Sequence, residues 1–249
     1  MMYNINWVRG MKEQVKIDAI YDYVKGVLDS TFHDNFRENF SIFISNLFNK
    51  NNIPKIISDV EYAQLDNEFY RGVNDISFHY DFLTLDNIHF GSGVIVNGIY
   101  TTSSINEAVY YAEENEQCVL KMKVNDARIM DAYELEFLKS CMSLESFPIA
   151  EELERYTKKG KFKLTEKDIE KLVFLHKYIK SIEDEKIKKI FKSNMLAVEN
   201  LAMYLDVDVV SFNDEISSIH YVVINREKVF VSKSEFNRIN SLYVKKNKR

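Results

Sequence analysis

Glycine is scarce in this chain, and the place where it clusters limits the fold more than any other feature. The 249 residues include only 7 Gly and 2 Pro, yet Gly91, Gly93 and Gly98 fall within eight positions. The stretch reads F-G-S-G-V-I-V-N-G-I-Y-T-T-S-S and continues as I-N-E-A-V-Y-Y-A. Because glycine opens backbone conformations that other residues avoid, and β-branched residues favour strands, this order predicts a loop, a strand and the start of a helix. The glycine spacing does not match the fingerprint of a βαβ dinucleotide-binding unit.

The composition indicates a chain that can bury a sizeable hydrophobic core. Hydrophobic residues make up 46% of the sequence and aromatic residues 13%, which argues against global disorder. The net charge of −5 gives no overall basic footprint for nucleic acid, and the basic tail at 245–249 is interpreted as a solvated terminus. Two cysteines, Cys118 and Cys141, cannot form a disulfide framework, and no cysteine–histidine spacing indicates a metal site.

The sequence carries no signal for export or membrane insertion. No run of about twenty apolar residues predicts a membrane span, and the N-terminus, M-M-Y-N-I-N-W-V-R-G-M-K, lacks the long apolar region of a secretory signal. We therefore expect a cytoplasmic protein, in the producing cell or in a host cell.

The hydrophobic pattern changes its period along the chain and predicts an α+β fold. Residues 14–50 repeat at the helical period, and 118–124 alternate as a half-buried strand does. Three β-branched runs follow between residues 207 and 231. These patterns predict three parts: an N-terminal helical region, a core that contains a charged helical insertion at 133–205, and a C-terminal extension with the basic tail. Their expected bounds are 1–66, 67–232 and 233–249.

Several residues of this core have side chains suited to a nucleotide. Arg71 ends an apolar run, and its guanidinium offers a planar fork of donors that matches a phosphate. Gly72 lets a ligand approach the backbone closely. Tyr100 is followed by four hydroxyl side chains, of which a helix cap needs one. Tyr110 or Tyr111 could stack on a flat ligand, and core packing is the alternative for either ring.

These motifs, in this order, resemble the NAD-binding half of the ADP-ribosyltransferases. F-Y-R-G followed by the Thr-Ser cluster is similar to toxin-type and phage-encoded mono-ADP-ribosyltransferases, and G-I-Y-x-x-x-x-x-x-x-A-x-x-Y is similar to the poly-ADP-ribose-polymerase-like branch. The strands A-M-Y-L-D-V-D-V-V and H-Y-V-V-I-N-R-E-K-V-F-V also resemble the closing strands of the phage and bacterial enzymes. The resemblance covers residues 67–131 and 197–232.

The resemblance implies a split β-sandwich that clasps NAD as co-substrate. Arg71 would hold the phosphates or the adenosine side and take part in catalysis, and the Gly72 backbone would bond the nicotinamide carboxamide. Tyr111 would stack on nicotinamide, and Tyr100 would flank it. The hydroxyl residues would line the ribose or support the sheet; they are Thr101, Thr102 and Ser103.

The chain departs from the family at the catalytic glutamate. His220 stands where the resemblance would place that residue. An inert, half-buried histidine and a catalytic one remain equally open at this position. The leading candidate for the missing acid is Glu215, with Asp214, Asp206 and Asp208 as alternatives. The substitution argues against polymer elongation and leaves single ADP-ribose transfer.

The resemblance therefore implies a glycosyltransferase of the pentosyl-transferring kind. It would modify a macromolecule, as a bacterial effector or toxin or as a phage factor acting on its host. We favour a protein target over a nucleic acid. Two alternatives stay open: an NAD glycohydrolase toxin, with water as the acceptor, and a fold retained only for binding NAD or a partner.

Overall fold

The fold is α+β, as the hydrophobic pattern predicts. The computed structural model describes residues 5–28, 36–48, 53–85, 98–144, 148–160, 162–213 and 219–248. Within these ranges the chain forms eleven α-helices and eight strands. Its contacts divide it into two compact units: Met1–Leu47 with Glu134–Leu201, and Phe48–Tyr133 with Ala202–Arg249. We call the first the helical unit and the second the sheet unit.

All eight strands lie in the sheet unit and form one mixed sheet. In chain order they are β1 (Lys55–Ile57), β2 (Glu68–Gly72), β3 (Ile99–Thr102), β4 (Val119–Val124), β5 (Ile129–Asp131), β6 (Val209–Asn213), β7 (Ile219–Val223) and β8 (Val229–Ser232). Their order across the sheet is β1-β8-β4-β2-β3-β7-β6-β5. The two edge strands pair in parallel with their neighbours, and the six inner strands are antiparallel.

The sheet is weakest between β2 and β3. Five residue pairs join β2 to β4, and four join β3 to β7. Among the described residues β2 and β3 share a single pair, Tyr70 with Thr102. The two halves of the sheet are therefore joined by one ladder pair, and we call the unpaired length of the two strands beside it the divergence of β2 from β3.

Four helices belong wholly to the sheet unit. They are α3 (Asp59–Ala63), α4 (Ser77–Thr84), α5 (Ile105–Tyr111) and α11 (Lys233–Lys246). Phe82 of α4, Ala108 of α5 and Ile239 of α11 are fully buried in one apolar cluster with strand residues such as Leu120 and Val223. These helices therefore cover the sheet and complete its core.

The predicted C-terminal extension is part of this unit. The N-cap of α11 is Ser232, whose side chain accepts a hydrogen bond from the Glu235 amide. The Tyr243 ring of α11 stacks on Tyr80 with centroids 3.9 Å apart. Near its end Lys246 pairs with Asp75, and that hydrogen bond is the main reason why the pKa of Asp75 falls to about 2. Of the basic tail, Lys245 and Lys246 thus form the end of α11 and Lys246 is paired, while both residues remain exposed to solvent.

The helical unit joins two parts that the sequence pattern separated. It contains α1 (Ile5–Leu28), α2 (Phe36–Leu47), α7 (Ile149–Lys158), α8 (Glu166–Ser181) and α9 (Glu185–Met195), with most of α6 (Ala132–Ser143) and half of α10 (Val198–Tyr204). Tyr178 of α8 donates to Asp18 of α1 at 2.9 Å. The ring of the same tyrosine meets Tyr21 edge-on, with centroids 6.5 Å apart. The N-terminal helices and the insertion therefore share one packing layer.

Residues 48–66 belong with the sheet and not with the helices, contrary to the predicted boundary at 66. The reason is β1, which pairs in parallel with β8. No helix in the described ranges is both long and apolar enough to cross a membrane.

Candidate functional site

The motifs singled out in the sequence lie on three neighbouring strands. Tyr70 of β2 pairs with Thr102 of β3, and Thr102 pairs in turn with His220 of β7. Residues paired across an antiparallel sheet point to the same face. Tyr70, Thr102 and His220 therefore form one row on one face, although 150 residues separate the first from the last.

Helix α5 lies against this face, and Gly72 is what lets it approach. A Cβ atom added to Gly72 would lie 1.7 Å from the carbonyl oxygen of Ala108 and 2.7 Å from its carbonyl carbon. From the sequence we expect a ligand to use the space left by the missing side chain. In the structure the helix backbone fills that space, so any ligand contact of Gly72 must come through its peptide groups.

Three polar side chains of this face form a hydrogen-bonded network, which we call the Thr102–Glu107–His220 network. His220 Nε2 lies 2.8 Å from Glu107 Oε1, and Thr102 Oγ1 donates to Glu107 Oε2 at 2.5 Å. Thr102 and His220 are buried, whereas one fifth of the Glu107 side chain is exposed. His220, the base of the network, is therefore shielded from water, and the network reaches solvent at Glu107.

Aromatic rings surround His220. Phe212 stacks on the imidazole with centroids 5.1 Å apart and planes 11° from parallel. Tyr111 of α5 meets it edge-on at 6.4 Å, and Tyr100 contacts Phe212 at 5.9 Å. Tyr111 keeps about half of its surface exposed, at 52%, so its ring borders the network and faces solvent.

Backbone groups also point toward the place where β2 and β3 diverge. The Val73 amide donates to Cys118 and the Val124 amide to Asn67, so the odd-numbered residues of β2 turn their peptide groups to β4. By the alternation of an antiparallel ladder, Gly72 turns its N–H and C=O toward β3. Because the ladder between β2 and β3 holds only the Tyr70–Thr102 pair, these groups face the divergence and not a strand partner.

Arg71 lies on the opposite face from the network. Successive side chains of a strand alternate between faces, and Arg71 Nη1 donates to the Phe78 carbonyl at 3.1 Å and lies 3.2 Å from His79 Nδ1. Its Cζ sits 5.3 Å from the centre of the Phe82 ring. The structure therefore does not bring the guanidinium to the Thr102–Glu107–His220 network directly.

The surroundings of Arg71 are short of negative charge. None of the carboxylates in the described ranges lies within 4.0 Å of its guanidinium. Burial lowers the pKa of Arg71 to about 10, so the group stays charged at neutral pH. A partly buried cation without a carboxylate partner has the electrostatics of an anion-binding position.

The remaining predicted residues divide into three groups. Thr101 is buried and donates to the Tyr221 carbonyl at 3.1 Å, so it supports the sheet, one of its two expected roles. Ser103 is exposed at the end of β3. Four predicted residues lie outside the described residues, and nothing is said of their structure; they are Gly91, Gly93, Asp214 and Glu215.

Two acids proposed as substitutes for the family glutamate are placed elsewhere. Asp208 is buried, accepts from the Asn225 side chain at 2.7 Å and from the Arg128 amide at 3.0 Å, and so ties strand ends together. Asp206 follows α10 with φ of 58°. The described acid beside His220 is instead Glu107. Its sequence pattern does not indicate this role, because Ser-x-x-Glu before a helix is the ordinary capping pattern.

No protein-family model, curated protein or solved structure matches this chain. Within the described part of the chain, no group of three or more His, Cys, Asp and Glu side chains could hold a metal ion. The site must therefore be interpreted from its own geometry.

Proposed function

We propose that this protein is an NAD-dependent mono-ADP-ribosyltransferase with a split-β-sandwich core. One observation carries the proposal. Three motifs that are far apart in the sequence meet on adjacent strands, as the row Tyr70, Thr102 and His220, under a helix that presents Tyr111. The divergence of β2 from β3 beside that row supports the split of the sandwich.

The divergence supplies the groups that a nicotinamide amide requires. A carboxamide has both a donor and an acceptor, and the Gly72 N–H and C=O offer the complement. In this proposal the nicotinamide lies against Tyr111, which has the exposed ring that stacking needs, with Tyr100 on its other side. Thr102 and Ser103 border the ribose, and Thr101 holds the strand beneath it.

Arg71 completes the proposed binding site from the other face. Where two strands part, one extended ligand can contact side chains from both faces of the sheet. The guanidinium is charged, partly buried and without a carboxylate partner among the described residues, and a diphosphate would neutralise it.

The reaction needs negative charge near the anomeric carbon. Loss of nicotinamide develops positive charge on the ribose, as in glycoside cleavage, and fixed negative groups stabilise such a transition state. Glu107 supplies a carboxylate oxygen 2.8 Å from Nε2 of His220. His220 stands at the strand position where the family resemblance places a glutamate. The site thus holds a candidate acid although the strand itself carries none.

A lysate experiment tests the transfer reaction itself. Host-cell lysate is incubated with the protein and isotopically labelled NAD, and modified macromolecules are identified by mass spectrometry. Labelled protein supports the proposed target class, as expected for an effector, toxin or phage factor. Rapid release of free ADP-ribose with no target present would instead favour an NAD glycohydrolase, and failure to bind NAD would favour a binding module.

Removal of the Arg71 guanidinium should weaken NAD binding. We expect Arg71→Ala to lose about 1.5–3 kcal/mol of binding free energy, or roughly 10- to 150-fold in affinity, because a charge-assisted contact disappears. Calorimetric titration with NAD measures the change. Arg238→Ala is the matched control, since Arg238 also donates to backbone carbonyls of the sheet unit but lies outside the proposed site. An unchanged affinity in Arg71→Ala, with the fold intact by thermal unfolding, would remove Arg71 from the site.

A further inference from the structure

The Glu107 carboxylate does not make the contact that its position on the helix would predict. Glu107 is the third residue of α5, and Ser104 is the N-cap, whose side chain accepts from the Glu107 amide. In a capping box the glutamate would return a bond to the N-cap amide. Here Thr102 Oγ1 accepts from the Ser104 amide at 3.1 Å, and the carboxylate binds Thr102 and His220.

Two other helices of this chain show the ordinary arrangement. At α3 the Glu61 carboxylate accepts from the Ser58 amide, and at α8 the Asp168 carboxylate accepts from the Thr165 amide. At α5 a threonine performs the capping role instead. The carboxylate of Glu107 is thereby left to contact His220.

This contact fixes the tautomer of His220. A carboxylate only accepts hydrogen bonds, so Nε2 must carry the proton that it shares with Glu107 Oε1. In the neutral ring the lone pair then lies on Nδ1, which this contact does not use. A base held in one tautomer by a carboxylate is the arrangement that activates hydroxyl nucleophiles in other enzymes.

We infer that Glu107 and His220 form an acid–base pair that activates a hydroxyl acceptor for ADP-ribose. His220 is the catalytic residue, because its Nδ1 takes the acceptor proton, and Glu107 is a positioning residue that acts through His220. The inference rests on the proposed NAD chemistry. It excludes a carboxylate acceptor, which needs no base, and among the acceptors that must lose a proton it names a hydroxyl.

The bond between the anomeric carbon and the nicotinamide nitrogen breaks, and its electron pair leaves with nicotinamide, which becomes neutral. The acceptor oxygen forms the new bond to the anomeric carbon, and its proton passes to His220 Nδ1. Glu107 stabilises the resulting imidazolium, which later releases the proton to water.

The test compares Glu107→Gln with the wild-type protein in NAD turnover. Nicotinamide release is followed with NAD alone and with added methanol, so that water and a simple alcohol serve as the two hydroxyl acceptors. We expect kcat to fall by about 10²- to 10⁴-fold with both acceptors, while the KM for NAD and its calorimetric Kd stay within about twofold. Glu61→Gln is the matched control, because Glu61 has the same position in a complete capping box, and it should keep the wild-type rate.

A spectroscopic measurement keeps the inference testable if the variant folds poorly. In the ¹⁵N spectrum of the wild-type protein at alkaline pH, the His220 ring should show the Nε2–H tautomer, and Glu107→Gln should mix the two tautomers. The Nδ1–H tautomer in the wild type would overturn the inference.

The outcomes separate the two proposals. If wild type and Glu107→Gln consume NAD equally fast, the acid–base pair is refuted and the negative charge near the anomeric carbon must come from another group, whereas the NAD consumption itself still supports the proposed function. A wild-type protein that neither binds nor consumes NAD refutes both. A loss of NAD affinity equal to the loss of rate would show that Glu107 shapes the binding site and does not act through His220.

Discussion

Gly72→Ala should be among the most damaging single substitutions in the sheet unit. The new Cβ would lie 1.7 Å from the Ala108 carbonyl oxygen, and that atom belongs to helix backbone, which cannot rotate away as a side chain does. Overpacking of this kind costs about 1–3 kcal/mol or more. We expect the melting temperature to fall by roughly 5–10 °C.

The same substitution should also abolish NAD turnover, because it must displace α5. That helix carries both Glu107, which binds His220, and Tyr111, which borders it. Thermal unfolding and nicotinamide release measure the two effects on one preparation.

Gly26→Ala is the control for the loss of a glycine. An added Cβ at Gly26 meets no atom within 4 Å, and alanine is favoured over glycine inside a helix by up to about 1 kcal/mol. This variant should be as stable as the wild type or slightly more so. A Gly72→Ala protein of unchanged stability and activity would show that α5 does not pack as described.

Much of the sheet was predictable from the sequence because each inner strand has its own local pattern. The alternation in 118–124 predicts β4, and the β-branched runs predict β6, β7 and β8 with ends that differ from the observed ones by one or two residues. The capping box of Thr165 and Asp168 at the start of α8 is a local feature of the same kind. These features depend on neighbours in the sequence.

The domain boundaries could not be predicted in the same way. Strand β1 is three residues long, and it pairs with β8, which lies some 170 residues later. Likewise, an amphipathic stripe predicts that one face of a helix is buried, but it does not identify the element that covers this face. The union of the N-terminal helices with the insertion depends on contacts such as Tyr178 with Asp18, which no local pattern reveals.

The arrangement of the candidate site could also be predicted only in part, because it depends on contacts between distant parts of the chain. The sequence identified Thr102 and His220 separately, but the register that places them side by side is a property of the folded sheet. It also treated Arg71 as one member of a single cluster, whereas strand alternation puts its side chain on the other face. Glu107 was overlooked because its local pattern has a sufficient structural explanation, and only the bond between Thr102 and the Ser104 amide shows that the explanation fails.

The interior beside Arg71 has a titratable group that no local pattern singles out. His79 is fully buried, its Nε2 lies 2.8 Å from the Cys118 carbonyl, and its Nδ1 lies 3.2 Å from Arg71 Nη1. These contacts require the neutral ring, with Nε2 as donor and Nδ1 as acceptor. Burial, with a smaller contribution from the Arg71 charge, holds the pKa of His79 well below its usual value of 6.5.

The folded state should therefore lose stability in mild acid through His79. Because its folded pKa is depressed, the stabilisation is complete above about pH 6.5, where the unfolded chain is also neutral, and declines as the pH falls. The decline is about 1.4 kcal/mol for each pH unit until the folded pKa is reached, which gives up to about 2 kcal/mol between pH 6.5 and 5. His79→Gln keeps a donor and an acceptor without titrating, so it should remove this part of the slope. Urea unfolding of both proteins at several pH values measures the difference in the pH dependence of their unfolding free energies. The carboxylates are the same in both proteins, so their contributions cancel in this difference. Parallel stability curves for the two proteins would show that His79 is not held neutral beside Arg71.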